Sequence, residues 1–180
     1  MSLGIRGKLF VTSLGLVATV GLVGGLYLEN ELTRLEVQKF ENELLRRARS
    51  AREAAHGLAA GSIRDLDAIA DRMGQAGEAR ITFIDRDGDV IGDSALTLEE
   101  LEQEENHAKR PEIVAAMGGH ASVMRRFSTT LNKELVYAAV PWYEVHGAVR
   151  AATPLDSVQE LLARQRVLLF TLVTLLALTI

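Results

Sequence analysis

Two uninterrupted apolar runs bracket a charged middle. Leu9–Leu28 is 20 residues without a charge, and Val167–Ile180 is 14 more. At 1.5 Å per residue the first run makes a helix about 30 Å long, the depth of a bilayer's hydrocarbon core. Arg6 and Lys8 precede it; Glu29 and Glu31 follow it. The positive-inside rule therefore predicts residues 1–8 in the cytoplasm, a membrane helix at 9–28, and residues from 29 onward outside. A cleaved signal peptide has a shorter apolar region and a small-x-small site, whereas this run ends Gly25-Leu26-Tyr27-Leu28-Glu29. Gly21 and Gly25, four apart, offer a close-packing face for a second copy. The run at 167–180 is shorter than the roughly 20 residues a crossing needs. The expectation is that the sequence stops inside a second membrane helix, with its output part beyond residue 180.

Between the runs the period changes several times. Val37, Phe40, Leu44, Ala48, Ala51, Ala55 and Leu58 step by three or four, a narrow seam of coiled-coil type. This predicts a helical arm over 29–73, weakened at Gly57 and Gly61. Its seam is free to bury against a second copy or against its own domain. Ser62 with Asp65 resembles a capping box that restarts the helix at Ile63, to end at Gly74. Residues 80–85 and 89–94 are β-rich runs joined by Arg86-Asp87-Gly88, a hairpin pattern. Thr97 with Glu100 predicts a short acidic helix to about Glu105. Residues 106–110 read as a loop, and Pro111 starts a helix ending at Gly118-Gly119. Three more strands are predicted at Ser122–Ser128, Glu134–Pro141 and Val145–Thr153. Thr153-Pro154-Leu155-Asp156 then caps a last helix, which runs without a breaker into the second apolar segment. The order predicts an α+β fold, a five-stranded antiparallel sheet with helices packed on one side.

Charge and composition narrow the function. The chain has 20 Lys+Arg and 24 Asp+Glu; all but Arg6 and Lys8 lie in residues 29–166, leaving 18 basic against 24 acidic, net −6. Nucleic acid needs a basic face, so it is not an expected partner. With no Cys there is neither disulfide nor thiol chemistry. Asp85, Asp87, Asp89 and Asp93 suggest a calcium loop, but an EF-hand starting at Asp85 needs Gly and Glu where this chain has Val90 and Leu96. His56, His107, His120 and His146 lack metal-ligand spacing. No metal, cofactor or catalytic residue is expected in these 180 residues, which carry no hydrolase, P-loop or zinc-protease motif.

One set of pieces recurs in a fixed order over Arg80–Leu155. They are Arg80-Ile-Thr-Phe-Ile-Asp85-x-Asp-Gly88, Asp93-Ser94, Asn106-His107-Ala108-x-Arg110-Pro111-Glu112-Ile113, Gly118, Arg126-x-Ser128-x-Thr130-Leu131, Tyr137-x-Ala139-x-Pro141, and Val149-Arg150-x-Ala152-x-Pro154-Leu155. In order and spacing this resembles the extracytoplasmic PAS-like (single-Cache-like) sensor domain of phosphate-regulon-type, PhoR-like sensor histidine kinases. Ala121 departs from the family, which often has Gly there. The resemblance implies a PAS-like sensor domain at 74–153, a signalling helix at 154–166 and a truncated membrane helix at 167–180. It also implies a homodimer in the bacterial cytoplasmic membrane, a response regulator as partner, and a kinase core beyond residue 180 that uses ATP and Mg. A chemoreceptor, a cyclic-dinucleotide enzyme and an envelope partner-docking module are the alternatives.

The candidate site residues are Asp93, Ser94, Asn106, His107, Arg110, Arg126 and Ser128. Strand alternation puts Met124, Arg126 and Ser128 on one face. A guanidinium turned toward a helical layer needs a partner; Asp93 is the expected one, with Arg110 as a further charge nearby. Two roles stay open for the set: a network that fastens helices to the sheet, or a pocket for an anionic or polar signal. Arg126→Ala is expected to destabilise the domain. His107 is expected to bond loop backbone or to sense ligand or pH.

Overall fold

A computed structural model describes residues 4–58, 62–128, 133–154 and 171. The chain divides into two compact units, Met1–Lys39 and Phe40–Ile180. Pro154, the expected start of the helix 154–166, belongs to the last strand; the rest of that helix and all but one residue of the expected membrane segment 167–180 lie outside the described residues. The run Leu9–Leu28 lies within a long helix, α1 (Ile5–Ala54). Among the described residues no helix is long and apolar enough to cross a membrane, and the anchor at 9–28 stays an expectation of the sequence pattern alone.

In the second unit, α2 (Ile63–Gly77) starts where Ser62 accepts the Asp65 N–H, and ends with Glu78 in the left-handed region returning its N–H to Gly74. It runs three residues past the expected stop. The hairpin forms as β1 (Arg80–Ile84) and β2 (Val90–Asp93). Its turn is locked by Asp85, whose carboxylate accepts the N–H groups of Asp87 and Asp89, both at 2.9 Å. Gly88 closes the turn at φ +90, and a Cβ there would meet Ala108 of the following loop. The Thr97–Glu100 capping box is made in both directions and opens α3 (Leu98–Leu101), shorter than expected. Pro111 stands first in α4 (Pro111–Met117).

Three longer strands complete the sheet: β3 (Ser122–Ser128), β4 (Lys133–Trp142) and β5 (Gly147–Pro154). Every pairing is antiparallel and the order is β2-β1-β5-β4-β3. Gly147 lets the start of β5 lie against the end of β1; a Cβ there would run into the Ile84 carbonyl oxygen. The expected turn at 130–133 falls largely outside the described residues.

The helices do not all lie on one side, as the order of elements suggested. One face of the sheet (Ile81, Phe83, Val136, Ala138, Val140, Trp142, Val149, Ala151) packs on α1 and α2. The other (Ile84, Val90, Ala139, Ala148) packs on Leu101 of α3 and on Ile113 and Ala116 of α4. The physical reason is visible in β4 and β5. From Leu135 to Trp142 and from Gly147 to Thr153 every residue is buried. A strand without polar alternation has no face to give to water.

The small residues of the α1 seam serve the domain itself. Ala48, Ala51 and Ala55 are fully buried beside Leu44, with Phe40 and Leu58 partly buried at the ends. Polar clasps flank this contact: Glu41 with Arg125 (2.6 Å), Arg52 to the Pro141 carbonyl (3.3 Å), and Arg47 to the Gly77 carbonyl. We expect Ala51→Leu to cost about 1–3 kcal/mol by overpacking. Ala54→Leu, one turn position on and exposed, should stay within about 0.5 kcal/mol. Urea unfolding followed by circular dichroism measures both, and equal losses would contradict a close-packed seam.

Candidate functional site

The second face of the sheet carries charge. Thr82 stands opposite Asp93 in β2 and opposite Arg150 in β5, so the three side chains share a face. The Asp93 carboxylate accepts the Arg80 Nε–H (2.8 and 3.0 Å), the Thr82 hydroxyl (2.7 Å) and the Ala95 N–H (2.9 Å). The Thr82 oxygen in turn accepts Arg150 Nη2–H at 3.2 Å. Arg150 Nη1 lies 3.8 Å from Glu112 Oε1, the first-turn acid of α4. Arg150 is 3% exposed and Glu112 1%. Arg150 Nε and Glu112 Oε1 make no hydrogen bond among the described residues. This ladder, Arg80–Asp93–Thr82–Arg150–Glu112, ties β2, β1, β5 and α4 together.

Burial pushes the Arg150 guanidinium down to about 10, helped by the nearby Arg80 charge and opposed by Glu112 and Asp93. It stays a cation at neutral pH, so both carboxylates have a positive charge to face. Behind β2, Asp67 accepts the Asp93 N–H at 3.1 Å. Burial holds the Asp67 carboxyl above its ordinary value, with the Asp71 and Asp93 charges adding to the rise and the accepted N–H working against it.

The expected site residues fall into separate groups. Asp93 is in the ladder. Ser94 closes the hairpin, its hydroxyl accepting the Ile81 N–H at 2.9 Å. Asn106 clamps the hairpin turn: its amide donates to the Asp87 carbonyl (2.9 Å) and to Asp89 (2.7 Å), while its oxygen accepts the Ala108 N–H (2.9 Å). His107 is buried, donating its backbone N–H to the Gly88 carbonyl (2.7 Å) and its Nδ1–H to the Glu105 carbonyl (2.5 Å). Arg110 caps the start of α4 by position and lies 3.7 Å from Glu105. Ser128 pairs with Lys133 at the end of β3.

Arg126 does not reach Asp93. Its guanidinium lies 4.7 Å from the centre of the Tyr137 ring, and Arg150 lies 5.3 Å from the same ring. Asp93 is engaged at the opposite edge of the sheet, since β1, β5 and β4 separate β2 from β3. An aromatic face satisfies a half-buried guanidinium at a smaller gain than a buried carboxylate would. Sequence reasoning missed Thr82, Glu112 and Arg150 as members. Arg150 had a signal: a lone cation in the apolar run Gly147–Ala152. Glu112 had none, since an acid in a helix's first turn is ordinary.

His107 is no sensor of mild acid. Burial, with Arg150 and Arg110 adding repulsion, pushes its ring down to about 3. Among the described residues no group of three or more His, Asp or Glu is placed to hold a metal. An open cleft of about 600 Å³ lies elsewhere, on α2, beside Leu58, Asp65, Ile69 and Arg72.

No family model matches the chain, and no curated protein matches it. Solved structures do. The sensor domain of the Vibrio cholerae histidine kinase DctB superposes with a TM-score of 0.61 at 17% identity, over 78% of this chain and 58% of that one. The ligand-binding domain of the Campylobacter jejuni chemoreceptor Tlp3, in complex with L-valine, gives 0.63 at 15% identity, over 90% and 68%. The same domain with 4-methylisoleucine gives 0.61 at 14%, over 73% and 57%. The fold is thus shared with these sensor domains, and the chain spans less than two thirds of the DctB domain's length.

Two outcomes follow from the geometry. His107 is held neutral, so below its ordinary value near 6.5 the unfolded chain binds a proton that the folded one refuses until about pH 3. Its contribution is complete above pH 6.5 and falls away as the pH drops through that window. His107→Gln should flatten the stability–pH curve between pH 6.5 and 5, read by thermal melting; an unchanged slope would contradict the buried neutral ring. Glu112→Gln leaves Arg150 buried with one close carboxylate fewer and should cost about 3–5 kcal/mol. Arg126→Ala should cost only about 0.5–1 kcal/mol. The reverse order in denaturant midpoints would place the structural charge at Arg126 instead.

Proposed function

We propose that the chain is the membrane-anchored, extracytoplasmic signal-sensing region of a two-component sensor histidine kinase. The observation that carries this reading is the fold, a five-stranded sheet of order β2-β1-β5-β4-β3 with helices on both faces, which superposes on the DctB and Tlp3 sensor domains with TM-scores of 0.61 and 0.63. The apolar run Leu9–Leu28, flanked by Arg6 and Lys8 on one side and Glu29 and Glu31 on the other, supports the anchor. In this reading residues 1–8 are cytoplasmic, 29–166 lie outside the bacterial cytoplasmic membrane, and 167–180 belong to a second crossing. The PhoR-like resemblance supports placing a kinase core after the sensor region. That core would use ATP and Mg, act as a homodimer and pass its phosphoryl group to a response regulator.

The ladder gives the sensor a route to the output. Arg150 stands four residues before Pro154, on the strand that leads into residues 154–166. Its partners lie on the hairpin and on α4, the two elements beside the Asn106–Arg110 loop. A signal that favours one arrangement of this loop and α4 would change how Arg150 is held. A stimulus can bias the output only by binding one arrangement better than the other. Asp93, Ser94, Asn106, His107 and Arg110 are the residues we place in this signal network; Arg126 and Ser128 stand apart from them on β3. The Tlp3 likeness favours a second reading, in which the same sensor drives a chemoreceptor.

The whole protein in native membranes, given labelled ATP and Mg, should acquire an acid-labile phosphoryl group on His. Arg150→Met, which keeps the volume and removes the charge, should make the level of labelling insensitive to stimulus. A coding sequence that encodes no ATP-binding core beyond residue 180 would overturn the kinase reading. A methyl-accepting coiled coil there would establish the second one.

A further inference from the structure

The two edges of the sheet are finished differently. β2 is four residues long and its backbone is met from outside by α2: Asp67 accepts the Asp93 N–H at 3.1 Å, and a Cβ at Gly92 would stand 3.0 Å from the Leu66–Asp67 backbone. β3 is seven residues long and pairs on one side only, from Ser122 opposite Ala139 to Ser128 opposite Lys133. Among the described residues no backbone–backbone hydrogen bond outside the β4 ladder reaches it. Alternate N–H and C=O groups along β3 therefore face outward with no strand to receive them. Exposed edges are ordinarily blunted by proline, by a bulge or by charges that stand in a neighbour's way. β3 has no proline, and its seven pairs with β4 run in unbroken register. Its two cations are drawn onto the faces of the sheet, Arg125 to Glu41 of α1 and Arg126 to the Tyr137 ring. Met124 and Phe127, on opposite faces, stay 40% and 56% exposed.

We infer that the outer edge of β3 is a docking strand for an extended segment of another protein, which joins the sheet as a further strand. In such an addition main-chain hydrogen bonds supply the affinity and alternate side chains the selectivity. The side chains of β3 define the segment. Met124-Arg125-Arg126-Phe127 reads apolar, basic, basic, apolar. Opposite charges across a strand pair attract and like charges repel. The matching segment therefore reads apolar, acidic, acidic, apolar, which is the same in either strand direction. A second copy of β3 does not match: in full overlap, parallel or antiparallel, it sets Arg125 opposite its own counterpart. The edge is the same whether a kinase or a chemoreceptor follows the sensor.

The probe is a fluorescein-labelled peptide, Thr-Thr-Val-Glu-Glu-Val-Thr-Thr, titrated with the whole protein in detergent after cooperative melting has shown it folded. Fluorescence anisotropy should rise and saturate. The counterpart with Val-Lys-Lys-Val at its centre should bind at least about tenfold more weakly, because two attractive cross-strand pairs become repulsive. N-methylation of one alternate set of the peptide's amides should abolish binding and of the other set spare it, since a strand offers only one set to a given neighbour. Phe127→Thr should weaken binding several-fold while the protein melts nearly as before. Tyr143→Thr, at a side chain exposed elsewhere, should leave binding unchanged. Absence of saturable binding by the folded protein would overturn the docking strand. So would equal binding of the acidic and basic peptides, equal effects of the two N-methylated sets, or equal effects of Phe127→Thr and Tyr143→Thr.

Discussion

A cation buried between a sheet and a helix has to be neutralised where it sits, and Arg150 imposes that requirement on the rest of the domain. It stands at the middle of β5, the central strand, with apolar residues on either side in sequence. Leaving it unpaired would cost several kcal/mol. Glu112 of α4 and, through the Thr82 hydroxyl, Asp93 of β2 supply the compensation. Arg80, at the start of β1, also donates its Nε–H to the Asp93 carboxylate. The elements that could most easily separate from the central strands, a four-residue strand and a seven-residue helix, are thereby fixed to them by charge.

The two faces of the sheet are held by different means. Toward α1 and α2 the contact is made by Ala48, Ala51 and Ala55, by Phe83 and Trp142 with ring centres 5.3 Å apart and planes tilted by 57°, and by a border of clasps. Alanine lets the helix lie close to the strands, so dispersion between well-packed atoms supplies the adhesion. Toward α3 and α4 the apolar set is smaller and the polar ladder runs beside it. That is the layer where the Asn106–Arg110 loop meets the Gly88 turn.

Local signals carried most of the architecture. The hairpin was legible from Asp-Gly between β-rich runs, α3 from Thr97 and Glu100, α4 from Pro111 and the following glycines, and β3 to its last residue from composition. These features are set by contacts within a few residues, so the chain writes them out in order. Helix ends were less legible: α2 gained a turn because Glu78 takes the left-handed conformation that Gly74 was expected to provide.

The sequence by itself determined which segments are helix or strand, that the sheet is antiparallel, and that a guanidinium turned toward a helical layer needs a partner. It also showed that Asn106 and His107 belong to a structured loop. Only the tertiary structure decided that helices cover both faces, that the alanine seam closes on its own sheet, and which acid serves which base. The reason is the strand order. Chain order places Arg126 after Asp93 with two short helices, α3 and α4, between them, but β1, β5 and β4 intervene in space, so Asp93 goes to Arg80 and Thr82 while Arg126 rests on Tyr137. Side-chain alternation says which way a residue points; it does not say which strand will lie beside it.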